Sequence, residues 1–163
     1  MFPKAFNSYL GESILKRAIE DKKIKVSFYN PRDFVKNKWK RVDRHPYGGG
    51  PGLVIEALPV IKAIQKAKGN KETKIIFLSP RGKQFTNEYA QKTTKNYKNI
   101  ILVCGRYEGI DARVKKIFKM EEKYASSNVI LHDAIHYLFS NMPGEHILWA
   151  HVTSPLVKKE TFE

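Results

Sequence analysis

The chain has a single cysteine, Cys104, among its 163 residues, so it cannot form an internal disulfide. That scarcity excludes a disulfide-stabilised secreted scaffold, and nothing else in the composition indicates an oxidising compartment. No apolar run approaches the roughly 20 residues that cross a bilayer. The opening MFPKAFNSYL also lacks the basic start and apolar core of a secretory signal. We therefore expect a cytoplasmic protein with no membrane partner.

Acidic residues are also scarce, with sixteen Asp and Glu against thirty Lys and Arg, which leaves a net charge of +14. Residues 1–45 hold twelve basic and five acidic side chains, and so half of that excess. Such a field attracts polyanions and speeds their capture. Trp39 interrupts the cations of KNKWKRVDR, and an aromatic among phosphate-seeking side chains suits a partly single-stranded nucleic acid. A solvated lysine-rich surface is the alternative interpretation.

Apolar periodicity predicts three helices. They are PKAFNSYLGESILKRAIEDKKI, ALPVIKAIQKAKGN and NEYAQKTTKNY. In the first, Phe6, Leu10, Ile14 and Ala18 recur at helical spacing. The second is predicted to end at Gly69, a residue type that commonly follows a helix.

Three short apolar segments predict strands: IKVSFYN, TKIIFLSP and NIILVCG, the second of them stopped by Pro80. Short strands alternating with helices indicate an α/β fold with a mostly parallel sheet flanked by helices on both faces. We expect residues 1–163 to form one domain. Ligands of such sheets bind beyond the carboxyl ends of the strands, which here are followed by LSPRGK and CGRYEGIDAR.

These two segments are candidate parts of a site. LSPRGK can lead its backbone polar groups out of the sheet towards a ligand, although a plain strand-to-helix turn explains it as well. In CGRYEGIDAR, Gly105 and Gly109 bracket an arginine, an aromatic and a carboxylate. An arginine there can hold phosphate or carboxylate, and a carboxylate can accept a base N–H. The alternative is a local set of surface salt bridges.

A third candidate is the glycine-rich PYGGGPG, which holds four of the ten glycines. It lacks the Gly-Lys-Ser/Thr ending of a Walker loop and does not lead from a strand into a helix as a dinucleotide fingerprint does. Consecutive glycines still permit positive φ and a close approach to another backbone or to a planar ligand.

The histidines and the cysteine indicate no metal site and no thiol chemistry. His132 and His136 in HDAIH are four residues apart, but the glutamate of zinc peptidases is absent and no third ligand follows. We interpret both as surface histidines. Cys104 follows IILV, which predicts a small buried residue.

Taken together, FPKAF, NPRDF, VDRHPYGGGPGLV, LSPRGKQF and ILVCGRYEGIDARV resemble, in order and spacing, bacterial tRNA (guanine-N1)-methyltransferases. These enzymes methylate the guanosine just 3′ of the anticodon, at position 37. Residues 1–122 carry the resemblance and residues 123–163 diverge. It implies a SPOUT-type (knotted α/β) methyltransferase domain, S-adenosylmethionine as cofactor, tRNA as partner and a homodimer. It leaves open whether Mg²⁺ takes part.

The resemblance also implies roles for individual residues. The expected cofactor-binding residues are Leu78, Ser79, Pro80, Gly105 and Tyr107. The expected catalytic residues are Arg106, Glu108 and Glu160, the last in place of the family's aspartate base. The expected RNA-binding residues are Lys38, Lys40, Arg41, Asp43, Arg44, Gly48, Gly49 and Gly50.

The divergent part sets a second group of expectations. The glycine-rich segment that forms the knotted crossing is expected to be deleted or replaced after Glu122, and Tyr137 stands where the family has a supporting arginine. The helical C-terminal tRNA-binding domain is expected to be absent. We therefore expect impaired methyl transfer, since loss of a general base typically lowers a rate about 10²–10⁴-fold. A non-catalytic RNA-binding module and a dimer partner of a full-length relative are the alternatives.

Overall fold

The computed structural model describes residues 3–118, 121–124 and 146–150. The helices are α1 Asn7–Leu10, α2 Ser13–Glu20, α3 Ala57–Lys68, α4 Asn87–Asn96 and α5 Ala112–Phe118, with 3₁₀ turns at Pro3–Phe6 and Pro31–Phe34. The strands are β1 Val26–Phe28, β2 Asp43–Arg44, β3 Val54–Ile55, β4 Lys74–Gln84, β5 Asn99–Cys104, β6 Glu121–Tyr124 and β7 His146–Ala150. No helix in these ranges is long and apolar enough to cross a membrane.

Five of the strands form one sheet in the order β1-β7-β5-β4-β6, and every pairing in it is parallel. The short strands β2 and β3 form a separate antiparallel pair. The predicted parallel α/β architecture is therefore confirmed. From β4 the chain runs through α4 to β5, which lies on one side of β4 in the sheet. From β5 it runs through α5 to β6, which lies on the other side of β4. Such a reversal of direction opens a crevice at the carboxyl ends of the strands.

Alternate residues of β4 and β5 enter two different cores. Ile76 and Leu102 pack on the face covered by α2 and α4, where Leu15 and Ala90 are buried. Phe77 and Val103 pack on the opposite face, with residues of α3 and α5. Because both faces of these strands are covered, each reads in sequence as a continuous apolar run, as buried parallel strands do.

The first predicted helix is interrupted at Gly11, which corrects the prediction of one continuous helix. The amide of Gly11 donates to the Asn7 carbonyl at 2.9 Å, and a Cβ at Gly11 would lie 2.6 Å from that oxygen. The chain restarts at Ser13, whose φ is +52°, so the phase of the helix shifts. As a result Leu15 is buried at 3% exposure, while Ile14, one of the four residues at helical spacing, is 50% exposed.

The strand β4 does not stop at Pro80, which is a second correction. Its pairing with β5 ends at Leu78, opposite Cys104, and its pairing with β6 shifts register between Leu78 and Lys83 before the strand ends at Gln84. Proline lacks an N–H, so it is tolerated where a bulge interrupts the ladder. Residues 79–82 therefore form an irregularity within one long strand.

Two other boundaries agree with the sequence. Helix α3 ends at Lys68 and is followed by Gly69 at φ +52°, as predicted. Helix α4 begins after Thr86, whose hydroxyl accepts a hydrogen bond from the Tyr89 amide at 3.2 Å. Such a cap satisfies one of the donors that a helix start leaves unpaired.

Candidate functional site

A cleft of about 860 Å³ lies at the carboxyl ends of β4 and β5. Three segments contribute to its wall. They are Leu78–Pro80 beyond the residues of β4 that pair with β5, Gly105 with Tyr107–Ala112 after β5, and Arg44–Tyr47 at the end of β2. The volume falls within the roughly 300–1,000 Å³ of small-molecule pockets. The two segments that the sequence placed at neighbouring strand ends therefore meet in one hollow.

The bend after β5 is held against the segment that contains β3. The amide of Glu108 donates to the Leu53 carbonyl, and the amide of Ile55 donates to the Gly109 carbonyl, both at 3.0 Å. The amide of Asp111 in turn donates to the Ile55 carbonyl, also at 3.0 Å. The end of the glycine-rich loop and the bend thus form one continuous wall, which fixes the position of the Glu108 backbone.

Glycine at position 52 leaves room for the Glu108 side chain. Gly52 has a φ of +95°, and a Cβ built there would lie 2.7 Å from Cγ and 2.8 Å from Oε1 of Glu108. No side chain at position 52 leaves Glu108 where it is. By contrast, Gly48, Gly49 and Gly50 also have positive φ, but a Cβ on any of them meets nothing within 4 Å.

Tyr47 joins two arginines at the rim of the cleft. Its hydroxyl accepts hydrogen bonds from Nη1 of Arg44 at 3.0 Å and from Nη2 of Arg113 at 2.9 Å. The two guanidinium carbons lie 5.6 and 5.3 Å from the ring centroid. A guanidinium at this distance is attracted to the electron-rich face of the ring, and the attraction is weak at an exposed site. Tyr47 thus ties the start of the glycine-rich loop to helix α5.

Each of these arginines has its own carboxylate. Arg44 donates from Nη2 to Oε1 of Glu56 at 2.7 Å, which raises the pKa of Arg44. Arg113 donates to both oxygens of Asp111, and these hydrogen bonds lower the pKa of Asp111 below its usual value. Asp111 and both arginines are therefore ionised at neutral pH.

Arg106 and Glu108 differ from those pairs. Among the described residues neither forms an ion pair, although they are two positions apart on the exposed bend. The guanidinium of Arg106 lies 5.0 Å from the ring of Tyr107, a residue held at φ +58°. Glu108 lines the cleft, and Arg106 lies two positions before it on the same bend. Charged side chains without an ion pair in this part of the chain are suited to a polar ligand.

The model of the family described as tRNA (Guanine-1)-methyltransferase TrmD matches residues 1–132. The chain belongs to this tRNA (guanine-1)-methyltransferase family. The tRNA (guanine-N(1)-)-methyltransferase of Caldanaerobacter subterraneus is 48% identical over 121 residues, 74% of this chain and 50% of that protein. The tRNA (guanine-N(1)-)-methyltransferase of Pseudoalteromonas atlantica is 41% identical over 133 residues, 80% of this chain and 49% of that protein.

A solved structure shares the fold of this tRNA (guanine-1)-methyltransferase family member. The tRNA (m1G37) methyltransferase from Aquifex aeolicus superposes with a TM-score of 0.73 at 28% identity, over 94% of this chain and 69% of that one. The SPOUT-type fold implied by the sequence is therefore confirmed. The expected loss of the knot-forming segment after Glu122 concerns residues outside the described ranges. The chain spans about half the length of the curated relatives it matches.

The residues predicted from the tRNA (guanine-1)-methyltransferase resemblance fall into three groups. The five predicted cofactor residues and Glu108 line the cleft, and Arg106 sits on the same bend. The predicted RNA-binding residues continue from the cleft, where Arg44 lies, along Asp43 and Arg41 towards the surface, with the Arg41 Nε 3.3 Å from Oδ2 of Asp43. Glu160, Tyr137, His132 and His136 lie outside the described residues.

Sequence reasoning missed two residues of the site, Tyr47 and Glu56. Tyr47 lies within PYGGGPG, whose pattern indicates a role for its glycines and not for its tyrosine. Glu56 pairs with Arg44 across twelve positions, and no local pattern reveals such a contact. Cys104 is buried as predicted, and burial raises the pKa of its thiol to about 12. No three metal-ligating side chains come together in the described ranges.

Proposed function

We propose that this chain transfers a methyl group from S-adenosylmethionine to N1 of the guanosine at position 37 of tRNA, in the cytoplasm. The observation that carries the proposal is the convergence of Leu78–Pro80 and the Gly105–Tyr107 bend in one cleft, in a chain of this family. Membership of the family supports the reaction, and the cleft supports a place for it.

The residues of the cleft fit the proposed cofactor. Leu78, Pro80 and Ile110 give an apolar wall for a planar base, and the volume is adequate for a molecule of that size. Of the carboxylates in this wall, Glu56 and Asp111 are paired with Arg44 and Arg113, so Glu108 is left to face the positive charge of a ligand with a sulfonium group. When bound, S-adenosylmethionine supplies an electrophilic methyl group.

The protein's own part in the reaction concerns one proton and one developing charge. Transfer of the methyl group to guanine N1 would break its bond to sulfur and leave a neutral thioether, and the N1 proton would pass to a carboxylate base, for which we propose Glu160. The charge that develops on guanine O6 calls for a positive donor, and we propose Arg106. Glu108 would accept a hydrogen bond from the guanine edge and so hold the base in line.

We expect this activity to be slower than that of the curated relatives. Glu160 is one methylene longer than the aspartate that the family resemblance implies, so its carboxylate must adopt a different approach to N1. Misplacing a general base removes part of the roughly 10²–10⁴-fold it contributes. The proposed assembly is a homodimer, and no Mg²⁺ is included in the proposal.

Methyl transfer from tritium-labelled S-adenosylmethionine tests this proposal directly. We expect incorporation into a tRNA with G37 and none into the same tRNA with A37. Glu108→Gln should lower the rate, whereas Glu88→Gln, an exposed carboxylate on α4, serves as the matched control. Equal incorporation into both tRNAs would contradict the proposal.

The two alternatives give different outcomes in the same samples. A non-catalytic RNA-binding module retains tRNA on a filter without incorporating label, and it gives no heat of binding with S-adenosylmethionine in calorimetry. A dimer partner is recognised by light scattering, alone and mixed with a full-length relative, because its mass changes only in the mixture.

A further inference from the structure

Residues 37–41 form a turn that is fixed by its own hydrogen bonds. The side chain of Asn37 donates from Nδ2 to the Arg41 carbonyl at 2.8 Å and accepts from the Arg41 amide at 2.7 Å. The Lys40 amide donates to the Asn37 carbonyl at 3.0 Å, and Lys40 has a φ of +48°. An asparagine that closes a turn in both directions makes it rigid without burying it.

Trp39 projects from this turn. It is 78% exposed, more than any other large apolar side chain in the described residues. An exposed indole contributes nothing to the core and remains available for an external planar group. Isolated exposed apolar residues are common on proteins, so a binding role for Trp39 depends on the residues that surround it.

The surroundings of Trp39 are cationic. Lys38 Nζ lies 5.2 Å from the centroid of the indole ring. Neither Lys38 nor Lys40 forms an ion pair within the described ranges, and both are exposed. Arg32 donates to the Lys40 carbonyl at 3.3 Å and adds another cation to this side of the turn. An exposed aromatic ring beside two lysines, Lys38 and Lys40, that form no ion pair within the described ranges matches a nucleotide, with its planar base and charged phosphate.

The turn is also close to the cleft along the chain. Arg44, which lines the cleft, is only five positions after Trp39, so at most about 18 Å of chain lies between them. Arg41 and Asp43, joined at 3.3 Å, lie on that path. A base that stacks on Trp39 is therefore within a few nucleotides of a base in the cleft.

We propose that Trp39 is a stacking platform for an unpaired nucleotide of the RNA, next to the nucleotide that enters the cleft. The inference rests on the proposed function for the identity of the RNA, but stacking itself needs no chemistry. Base–aromatic stacking of this kind corresponds to about a 5- to 150-fold change in affinity. Stacking on a single ring requires an unpaired base, so a duplex does not use this platform.

Binding of two RNA probes to the full chain tests this inference. The probes are a stem-loop with an unpaired, guanosine-containing loop and a fully paired duplex of equal length. Trp39→Ala should weaken binding of the stem-loop about 5- to 150-fold, leave the duplex unchanged and leave the salt dependence of both unaltered. Trp39→Phe, which keeps an aromatic face, should recover part of the loss.

Lys40→Gln is the matched control, because it removes a charge from the same turn and keeps the indole. It should weaken both probes and reduce the slope of log affinity against log salt by about 1. Unchanged stem-loop binding by Trp39→Ala, or an equal loss for the duplex, would overturn the inference. So would a change of mass in light scattering for Trp39→Ala with RNA affinity intact, because it would assign Trp39 to a protein interface.

Failure of this inference is distinguishable from failure of the proposed function. If Trp39→Ala weakens only the stem-loop while the chain incorporates no methyl label, the platform stands and the proposed reaction fails. If label is incorporated into G37 tRNA while stem-loop affinity is independent of Trp39, the reaction stands and the platform is wrong.

Discussion

Replacing Gly52 by alanine should disturb the cleft in a way that its neighbour Gly50 does not reproduce. Both glycines have nearly the same φ, +95° and +99°, so both alanines carry a similar backbone strain of about 1–3 kcal/mol. At Gly52 the new Cβ also meets Cγ of Glu108 at 2.7 Å, whereas at Gly50 it meets nothing within 4 Å.

The contact with Glu108 sets the size of the difference. To clear the new Cβ, Glu108 must leave its rotamer or shift its bend, and a displaced rotamer costs about 0.5–1.5 kcal/mol. The free energy of unfolding should therefore fall by that much more for Gly52→Ala than for Gly50→Ala. In a chain of this size, 1 kcal/mol lowers the Tm by about 2–4 °C.

Urea unfolding of a double-mutant cycle isolates this contact. Glu108→Ala removes Cγ, so in that background the two alanine substitutions should become equally destabilising. The expected coupling between Gly52→Ala and Glu108→Ala is about 0.5–1.5 kcal/mol. A coupling within the roughly 0.3–0.5 kcal/mol typical of independent sites would refute the placement of Glu108 over Gly52.

Three further predictions concern titration and the arginine–tyrosine group. Because burial raises the pKa of Cys104 to about 12, about one thiol in ten thousand is ionised at pH 8; a disulfide reagent should label the native chain no faster than it unfolds, and rapid labelling would contradict this burial. The pKa of Asp111 is lowered from 3.8 by Arg113, so its stabilising charge is present above pH 3.8 and is lost as the pH falls through the folded value. Asp111→Asn should therefore flatten the dependence of unfolding free energy on pH below about 4, and an unchanged slope in urea titrations would speak against the pair. Tyr47→Phe removes the acceptor shared by Arg44 and Arg113; it should destabilise the chain by no more than about 1 kcal/mol while increasing amide hydrogen exchange in residues 47–52, and unchanged exchange there would show that Tyr47 does not restrain the loop.

The fold was predictable for those strands and helices whose own residues show a clear apolar pattern. The runs TKIIFLSP and NIILVCG gave β4 and β5 because both faces of these strands are buried and their apolar residues are consecutive. The break at Gly11 was not predictable, since Phe6, Leu10, Ile14 and Ala18 satisfy a helical spacing that Ser13 then shifts by its positive φ. The extension of β4 past Pro80 was missed because it depends on a register shift against β6.

The candidate site divides in the same way. Its location followed from the rule that parallel sheets bind ligands beyond the carboxyl ends of their strands, and from the chemistry of the bend around Tyr107. The partners of its charges did not follow, because the pairs Arg44–Glu56 and Tyr47–Arg113 join positions that are distant in the chain. Such contacts decide whether a charged residue is paired within the protein or available to a ligand. Only the folded chain shows that Arg106 and Glu108 form no ion pair among the described residues.

The position of β7 has a consequence for how this sheet is assembled during synthesis. Val26 pairs with Ile147, and β7 also pairs with β5, so the strand that joins β1 to the rest of the sheet is made last among the described strands. While the chain is still on the ribosome, β4 and β5 can associate, whereas β1 must wait for a neighbour that has not yet been translated. Pairings between such distant positions form slowly and leave strand edges exposed in the meantime. A nascent chain of this kind is therefore most vulnerable to aggregation just before residues 146–150 emerge.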